Sequence, residues 1–295
     1  MLGYLFAGLS SIFFTLYIIP KKLSKQKPIT YIMFMGLGFF VVSLLFFIGH
    51  IVINKEIEVL FNPILLVSAL AGILWMFGSL FFLTSIDKIG LSRSNQWKNL
   101  QGPIGSILIL LVFAEFLTTN FIYIILAIIS IFVSAILFTV RDDKQTKIEL
   151  KSVLYAIVSA IFFGIVALLQ KYVTNNGFLY AQQLYFSLFI FISAVVCVLF
   201  KNKQINELKN ITNKNNLLGI IGGGTFYFAS YFSVVAFKFI EGSIAFTIVQ
   251  LNAVWTVLVG IIIFKEINFK TNWLRILAGI LFAITGILFL LYAQK

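Results

Sequence analysis

Ten apolar stretches, each near the length of a membrane-spanning helix, follow one another along this 295-residue chain and leave little room for anything else. A helix needs about 20 consecutive apolar residues to cross the hydrocarbon core of a bilayer. The connections are short and polar, and the longest, 201–216, is too small to be a soluble domain. The pattern therefore predicts an all-α membrane protein with ten transmembrane helices. The predicted spans are 2–20, 29–53, 63–86, 90–113, 119–140, 151–172, 179–200, 217–238, 242–264 and 272–292.

The composition agrees with an integral membrane protein that is embedded in a lipid bilayer. Hydrophobic residues make up 61% of the chain and charged residues only 11%, whereas about 25% of the residues of soluble domains are charged. The net charge of +12 does not predict nucleic-acid binding, because the basic residues are scattered over short connections and form no continuous face. The first apolar stretch is interpreted as a span and not as a removable signal peptide.

The second half of the chain repeats the pattern of the first at an offset of 151 residues. Residues 99–101 (NLQ) align with residues 250–252 (QLN), and Glu115 aligns with Glu266. Because each copy has five spans, an odd number, the second copy must enter the membrane in the opposite orientation. Many transporters use such inverted repeats to open a central site alternately to the two sides. The two predicted five-helix repeats are residues 1–143 and 144–295.

Loop charges predict the orientation of the chain in the cell membrane. The connections on one side carry seventeen Lys or Arg residues, whereas the other side carries four. Basic loops remain in the cytoplasm. We therefore expect a multi-pass protein of the cell membrane with both termini outside.

Four residues at equivalent places in the first and third helices of each copy are candidates for a central cavity. Lys22 and Lys171 end the first helices, where they either anchor helix ends at the interface or offer donors to a substrate. Trp75 and Tyr227 lie between small residues of the third helices. Small residues permit close helix packing, but an indole beside them also makes a platform for the apolar face of a sugar ring.

The fourth and ninth helices are the most polar at membrane depth. Polar groups in a bilayer usually face the bundle interior or a wet cavity, because they need partners. Asn99 and Gln101 lie roughly 200° apart on a helix, as do Gln250 and Asn252, so one of each pair can line the cavity. Pro103 should break the helix backbone and free carbonyls. The candidate substrate-binding residues are Lys22, Trp75, Trp97, Lys98, Asn99, Gln101, Lys171, Tyr227, Gln250, Asn252 and Trp255.

Acidic residues occur only near the ends of the apolar stretches. Export of cationic drugs by small helical carriers typically needs a buried carboxylate, so this cavity suits neutral polyols or weak anions better than cations. Glu115 and Glu266 end helices and each needs a partner there. No His, Cys and acidic residues converge at one depth, so we expect no metal, no cofactor and no enzymatic activity.

The chain resembles the drug/metabolite transporter superfamily, and within it the glucose/ribose porter type of sugar uptake protein and related rhamnose and ureide carriers. The resemblance covers nearly the whole chain. It is carried by the two five-helix copies, Glu115 and Glu266 at helix ends, the PKK end of the first helix and the segment AGILWMFGSLFFLTSIDKIGLSRSNQW at 71–97. It implies a ten-helix carrier that imports sugars together with a cation, with Trp75, Lys22, Lys171 and the amides of helices four and nine at the cavity.

We therefore expect a secondary carrier that takes up a monosaccharide or a similar small polar solute by alternating access. An exporter of amino acids, drugs or other metabolites, of the EamA-like permease type, is the alternative on the same scaffold. An intramembrane enzyme or receptor is disfavoured, because no set of catalytic groups converges. Coupling to a proton or to sodium, and a monomeric or homodimeric state, are both left open.

Overall fold

The computed structural model describes residues 1–54, 60–89, 94, 97–137, 150–200, 213–263 and 269–293. Within these ranges every regular element is a helix, and no β-strand occurs. Helices suit a chain this apolar, because each helix satisfies its backbone hydrogen bonds internally, as a bilayer demands.

Twelve α-helices and one 3₁₀ turn, Glu115–Leu117, form the described part of the chain. They are short where the backbone is interrupted and long elsewhere. The α-helices are α1 (Leu2–Leu16), α2 (Ile18–Leu23), α3 (Pro28–Asn54), α4 (Leu65–Ile89), α5 (Gln101–Val112), α6 (Phe121–Leu137), α7 (Leu150–Asn175), α8 (Tyr180–Phe200), α9 (Lys214–Phe239), α10 (Gly242–Val249), α11 (Asn252–Ile262) and α12 (Phe269–Ala293).

Each of the ten apolar stretches contains at least one of these helices. Among the described residues, seven helices are long and apolar enough to cross a membrane, counting α1 and α2 together as Leu2–Leu23. The other three stretches contain shorter helices, namely α5, α6 and the pair α10 and α11. The described part of the protein is therefore all-helical and is that of a multi-pass membrane protein.

Prolines explain two of the helix interruptions. Pro20 is the third residue of α2 and Pro103 the third residue of α5. A proline has no N–H, and its ring clashes with the carbonyl four residues earlier. The carbonyls concerned belong to Leu16, where α1 ends, and to Asn99, where the chain makes a turn before α5. The ladder break predicted at Pro103 is thus present, and it lies at Asn99–Leu100.

A third interruption separates α10 from α11 without any proline. At Gln250 and Leu251 the backbone N–H groups donate to carbonyls three residues earlier, Thr247 O at 3.1 Å and Ile248 O at 2.9 Å. The turn at Asn99–Leu100 has the same kind of bond, from Gly102 N to Asn99 O at 3.2 Å. The aligned segments 99–101 and 250–252 therefore each contain a 3₁₀-like break.

Helices from the two halves of the chain pack mainly on one another. The largest contacts join α4 to α7, α1 to α9, α3 to both α8 and α9, α4 to α8, and α6 to α12. Further contacts join α5 to α7 and to α10, and α1 to α10. A large aromatic core between α3, α4, α8 and α9 includes Tyr31, Phe39, Phe186 and Phe226. This packing surrounds a cavity near the middle of the helices that is lined by aromatic and polar side chains.

Glycines bring α3 and α9 into backbone contact. A Cβ added at Gly223 would overlap the carbonyl oxygen of Met35, and one added at Gly38 would overlap that of Ile220. The glycine triplet 222–224 lies inside α9. The close approach fixes the rotation of α9 and decides which of its side chains face the cavity.

Candidate functional site

A central cavity lies between α1, α4, α5, α7, α8, α9 and the α10–α11 break. The cavity has a volume of about 60 Å³. One part of the lining is aromatic and the other is polar. The cavity therefore suits a solute that has an apolar face and a polar edge. The aromatic lining residues are Phe14, Tyr17, Trp75, Phe163, Phe186 and Phe226, with Phe246 beside them.

Trp75 is the largest ring of the aromatic wall. It is buried, with 6% of its surface exposed, and its ring centroid lies 4.7 Å from that of Phe226 and 6.0 Å from that of Phe163. Gly72, one turn earlier on α4, packs against the backbone of Phe186 and holds this part of α4 close to α8. The indole is thus held by packing at the place where it lines the cavity.

Amides from both halves of the chain form the polar part of the lining. Gln101 Nε2 donates to Gln250 Oε1 over 3.1 Å, and Gln250 Nε2 donates to the carbonyl of Phe246 over 3.3 Å. Gly102 leaves room for this pair, because a Cβ there would lie 2.7 Å from Gln250 Cγ. Asn252, the first residue of α11, also lines the cavity. The helix breaks therefore deliver three amides to one place.

Lys98 supplies the positive charge of the cavity. Its side chain is 8% exposed, and its Nζ lies 5.5 Å from the ring centroid of Phe82 and 5.8 Å from that of Phe163. No Asp or Glu is among the described residues that line the cavity. Within the described part of the chain, Lys98 has no ion pair and no side-chain hydrogen bond.

Two predicted residues lie close to the cavity but face other neighbours. Asn99 lines a second, smaller cavity together with Pro103 and Thr247. Tyr227 is fully buried and stacks on Tyr231, with ring centroids 5.6 Å apart. Phe226, its neighbour on α9, takes the position opposite Trp75. Of the alternative amides in the first copy, Gln101 is the one that lines the central cavity, whereas both Gln250 and Asn252 do so in the second.

Lys171 belongs to a polar cluster at the far end of α5. Glu115 accepts hydrogen bonds from Gly242 N at 2.7 Å, from Ser243 N at 2.9 Å and from Ser243 Oγ at 2.5 Å. Lys171 Nζ lies 4.0 Å from Glu115 Oε1 and donates to the carbonyl of Phe237 over 2.8 Å. The carboxylate thus caps the positive end of α10, and the lysine supports it. Glu266, the counterpart of Glu115, lies outside the described residues.

Three further predicted residues line neither the central cavity nor the smaller cavity beside Asn99. Lys22 is half-buried near the end of α2. Trp97 and Trp255 are each 37% exposed, and Trp255 Nε1 donates to Ser11 Oγ over 2.9 Å. Their roles as substrate-binding residues stay predictions.

Several cavity residues were not predicted from the sequence. Gln170 of α7 donates to Ser230 Oγ of α9 over 3.3 Å, and Ser233 lies one turn further along. Gln170 could have been predicted, because it is a glutamine at membrane depth next to Lys171. Ser230 is one of the small residues that flank Tyr227 in the sequence, a pattern that predicts helix packing and not a cavity. Tyr17 and Phe163 carry no signal that separates them from other aromatic residues of an apolar helix.

Comparisons with known proteins agree with this description. The profile of the family described as "Sugar transport protein" matches residues 18–293. A Listeria innocua serovar 6a protein named "Putative sugar uptake protein lin0444" is 27% identical over 259 residues, which cover 86% of this chain and 87% of that protein. A "Putative sugar uptake protein" of Lactobacillus helveticus is 26% identical over 275 residues, 91% of this chain and 92% of that protein.

The fold is also shared with a protein of known crystal structure. The two superpose with a TM-score of 0.74 at 10% sequence identity, over 97% of this chain and 96% of the other. At that identity the likeness shows the fold alone. The sequence profile spans nearly all the helices described above and every residue of the cavity lining except Phe14 and Tyr17. The expected resemblance to sugar uptake proteins is thereby confirmed: the chain belongs to the sugar transport protein family, and it is a transport protein and not an enzyme.

Proposed function

We propose that the protein takes up a monosaccharide, or a polar metabolite of similar size, by exposing the central cavity alternately to the two sides of the cell membrane. The cavity carries this proposal. Its aromatic wall suits the apolar face of a sugar ring, and its amides suit the hydroxyls at the ring edge. The names of the relatives refer to sugar uptake, and they support import as the direction of transport.

In this proposal, residues 1–143 and 144–295 are inverted five-helix repeats. The breaks at 99–100 and 250–251, which lie 151 residues apart, support this organisation. The packing also supports it, since exchanging the two halves converts the contact of α4 with α7 into that of α9 with α1. Rocking two such halves around a midplane site is a general mechanism of alternating access.

Two sets of contacts between the halves would have to change during this movement. The hydrogen bond between Gln101 and Gln250 lies at the cavity, and the Glu115 cluster lies at the end of α5. Loop charges place that end outside the cell. We propose that Glu115, capping α10, closes the cavity on the outer side, and that binding a sugar competes with the bond between the two glutamines.

Uptake by vesicles tests the proposed function. Right-side-out vesicles that contain the protein should accumulate labelled D-glucose or a similar monosaccharide faster than vesicles without it. Trp75→Ala should lower kcat/KM about tenfold, which equals about 1.4 kcal/mol of lost binding. Trp273→Ala, at an exposed position of α12, is the matched control and should leave uptake unchanged. Accumulation only in inside-out vesicles would instead establish an exporter.

A further inference from the structure

Among the described residues, none carries a negative charge that compensates Lys98 in the central cavity. The side chain is more than nine-tenths buried and lines the cavity. Its described neighbours at Nζ are two phenylalanine rings, and the other polar groups of the lining are neutral amides and hydroxyls. The carboxylate of Glu115 is committed elsewhere, to the start of α10 and to Lys171.

This arrangement is costly unless an anion completes it. The penalty for burying an ammonium group is larger than the stabilisation that cation–π contacts with aromatic rings provide. A buried charge inside a membrane protein usually has a partner, and a charge facing a cavity indicates a functional site. The missing partner can therefore be supplied by the solute.

Helix ends at the cavity do not change this balance. α5 and α11 begin there, at Gln101 and Asn252, but α10 ends there at Val249. The positive dipole ends of two helices are thus partly offset by the negative end of a third. The ammonium group remains the main source of charge, and it matches a single negative charge.

We infer that the preferred solute is a sugar acid, a monosaccharide that carries one carboxylate, and that Lys98 binds this carboxylate. The inference rests on the proposed function. The ring face lies on Trp75, and the hydroxyls bond with Gln101, Gln250 and Asn252. A carboxylate also explains why the lining has one lysine and no acid.

Binding of two sugars that differ only at carbon six tests the inference. Kd is measured for D-glucuronate and for D-glucose on purified full-length protein. The wild type should bind D-glucuronate at least tenfold more tightly. Lys98→Gln, which keeps a hydrogen-bond donor but removes the charge, should bring the ratio of the two Kd values close to one. Lys98→Arg should preserve the preference, and Lys238→Gln, at an exposed lysine of α9, should leave both values unchanged.

The outcomes separate this inference from the proposed function. Equal or tighter binding of D-glucose, or a ratio that Lys98→Gln does not change, overturns the inference while sugar binding stands. Binding of neither sugar overturns the proposed function itself. Acetate is the anion control. If acetate binds as tightly as D-glucuronate, the inference is also overturned. Lys98→Gln should fold at least as well as the wild type, because it removes a buried unpaired charge.

Discussion

Glu115 uses both of its carboxylate oxygens to hold the start of α10, so a change of this one residue should weaken the contact between the two halves. In Glu115→Gln, the amide NH₂ group would face one of the two backbone N–H donors, Gly242 or Ser243, and Lys171 would lose its ion-pair partner. Leaving a buried charge without its partner costs about 3 kcal/mol. We expect a loss of stability of this size, measured as the lowering of the thermal unfolding temperature in detergent.

Two further variants check the cause of that loss. Asp87→Asn removes an exposed carboxylate at the end of α4 and should have little effect, because exposed charges contribute little to stability. The double variant Glu115→Gln, Lys171→Met removes the orphaned charge and should recover part of the stability. An unfolding temperature for Glu115→Gln equal to that of Asp87→Asn would contradict the account.

Single residues also show why the site was only partly predictable from the sequence. Asn99 and Gln101 are both amides at the same depth, and the break at Asn99–Leu100 decides that Gln101 lines the central cavity. Tyr227 aligns with Trp75 in the repeat, yet Phe226 faces the cavity. The rotation of α9 decides this choice. That rotation depends on contacts between α9 and α3. The sequence of either helix by itself does not predict these contacts.

At the scale of the helices, the contact between α3 and α9 leads to a direct prediction. A methyl group at Gly223 would overlap the backbone carbonyl of Met35, which is part of a helix and has no room to move aside. Gly223→Ala should therefore lower the stability by about 2 kcal/mol or more, through overpacking. The measurement is again the unfolding temperature in detergent.

Gly49 provides the matched control on α3. A Cβ there meets no atom within 4 Å. Gly49→Ala should leave the stability unchanged or raise it by up to about 1 kcal/mol, since alanine is the better helix former. Equal effects of the two substitutions would show that the helices do not meet where the structure places them.

The helices were more predictable than the site. The length of each apolar stretch indicated a span, because the thickness of the bilayer fixes the number of residues required. Two of the three interruptions coincide with prolines, Pro20 and Pro103. The break at Gln250–Leu251 has no proline or glycine, and only its alignment with Asn99–Leu100 points to it. Such a break depends on tertiary contacts, which a local pattern does not contain.

For the whole molecule, the charge bias predicts which turns face the outside. The chain has a single cysteine, Cys197, so a Cys197→Ser background allows cysteines to be placed one at a time. Asn176→Cys lies at the exposed turn after α7, and Lys25→Cys in the exposed connection after α2. In right-side-out vesicles, a membrane-impermeant thiol reagent should label Asn176→Cys and leave Lys25→Cys unlabelled.

Permeabilised vesicles are the control for that labelling. Both cysteines should then react, which establishes that each is chemically accessible. Labelling of Lys25→Cys alone in sealed vesicles would reverse the orientation that loop charges indicate. Labelling of both would contradict the assignment of the two turns to opposite sides, and with it the inverted repeat.

The central claim is that one cavity, exposed alternately to the two sides, carries a sugar. Counterflow in proteoliposomes measures this most directly. Liposomes loaded with unlabelled D-glucose or D-glucuronate are diluted into a trace of the same sugar in labelled form, without any ion gradient. A carrier should produce a transient accumulation of label above its equilibrium level, and Trp75→Ala should reduce it. A steady approach to equilibrium without an overshoot, or label entry no faster than in protein-free liposomes, would contradict the account.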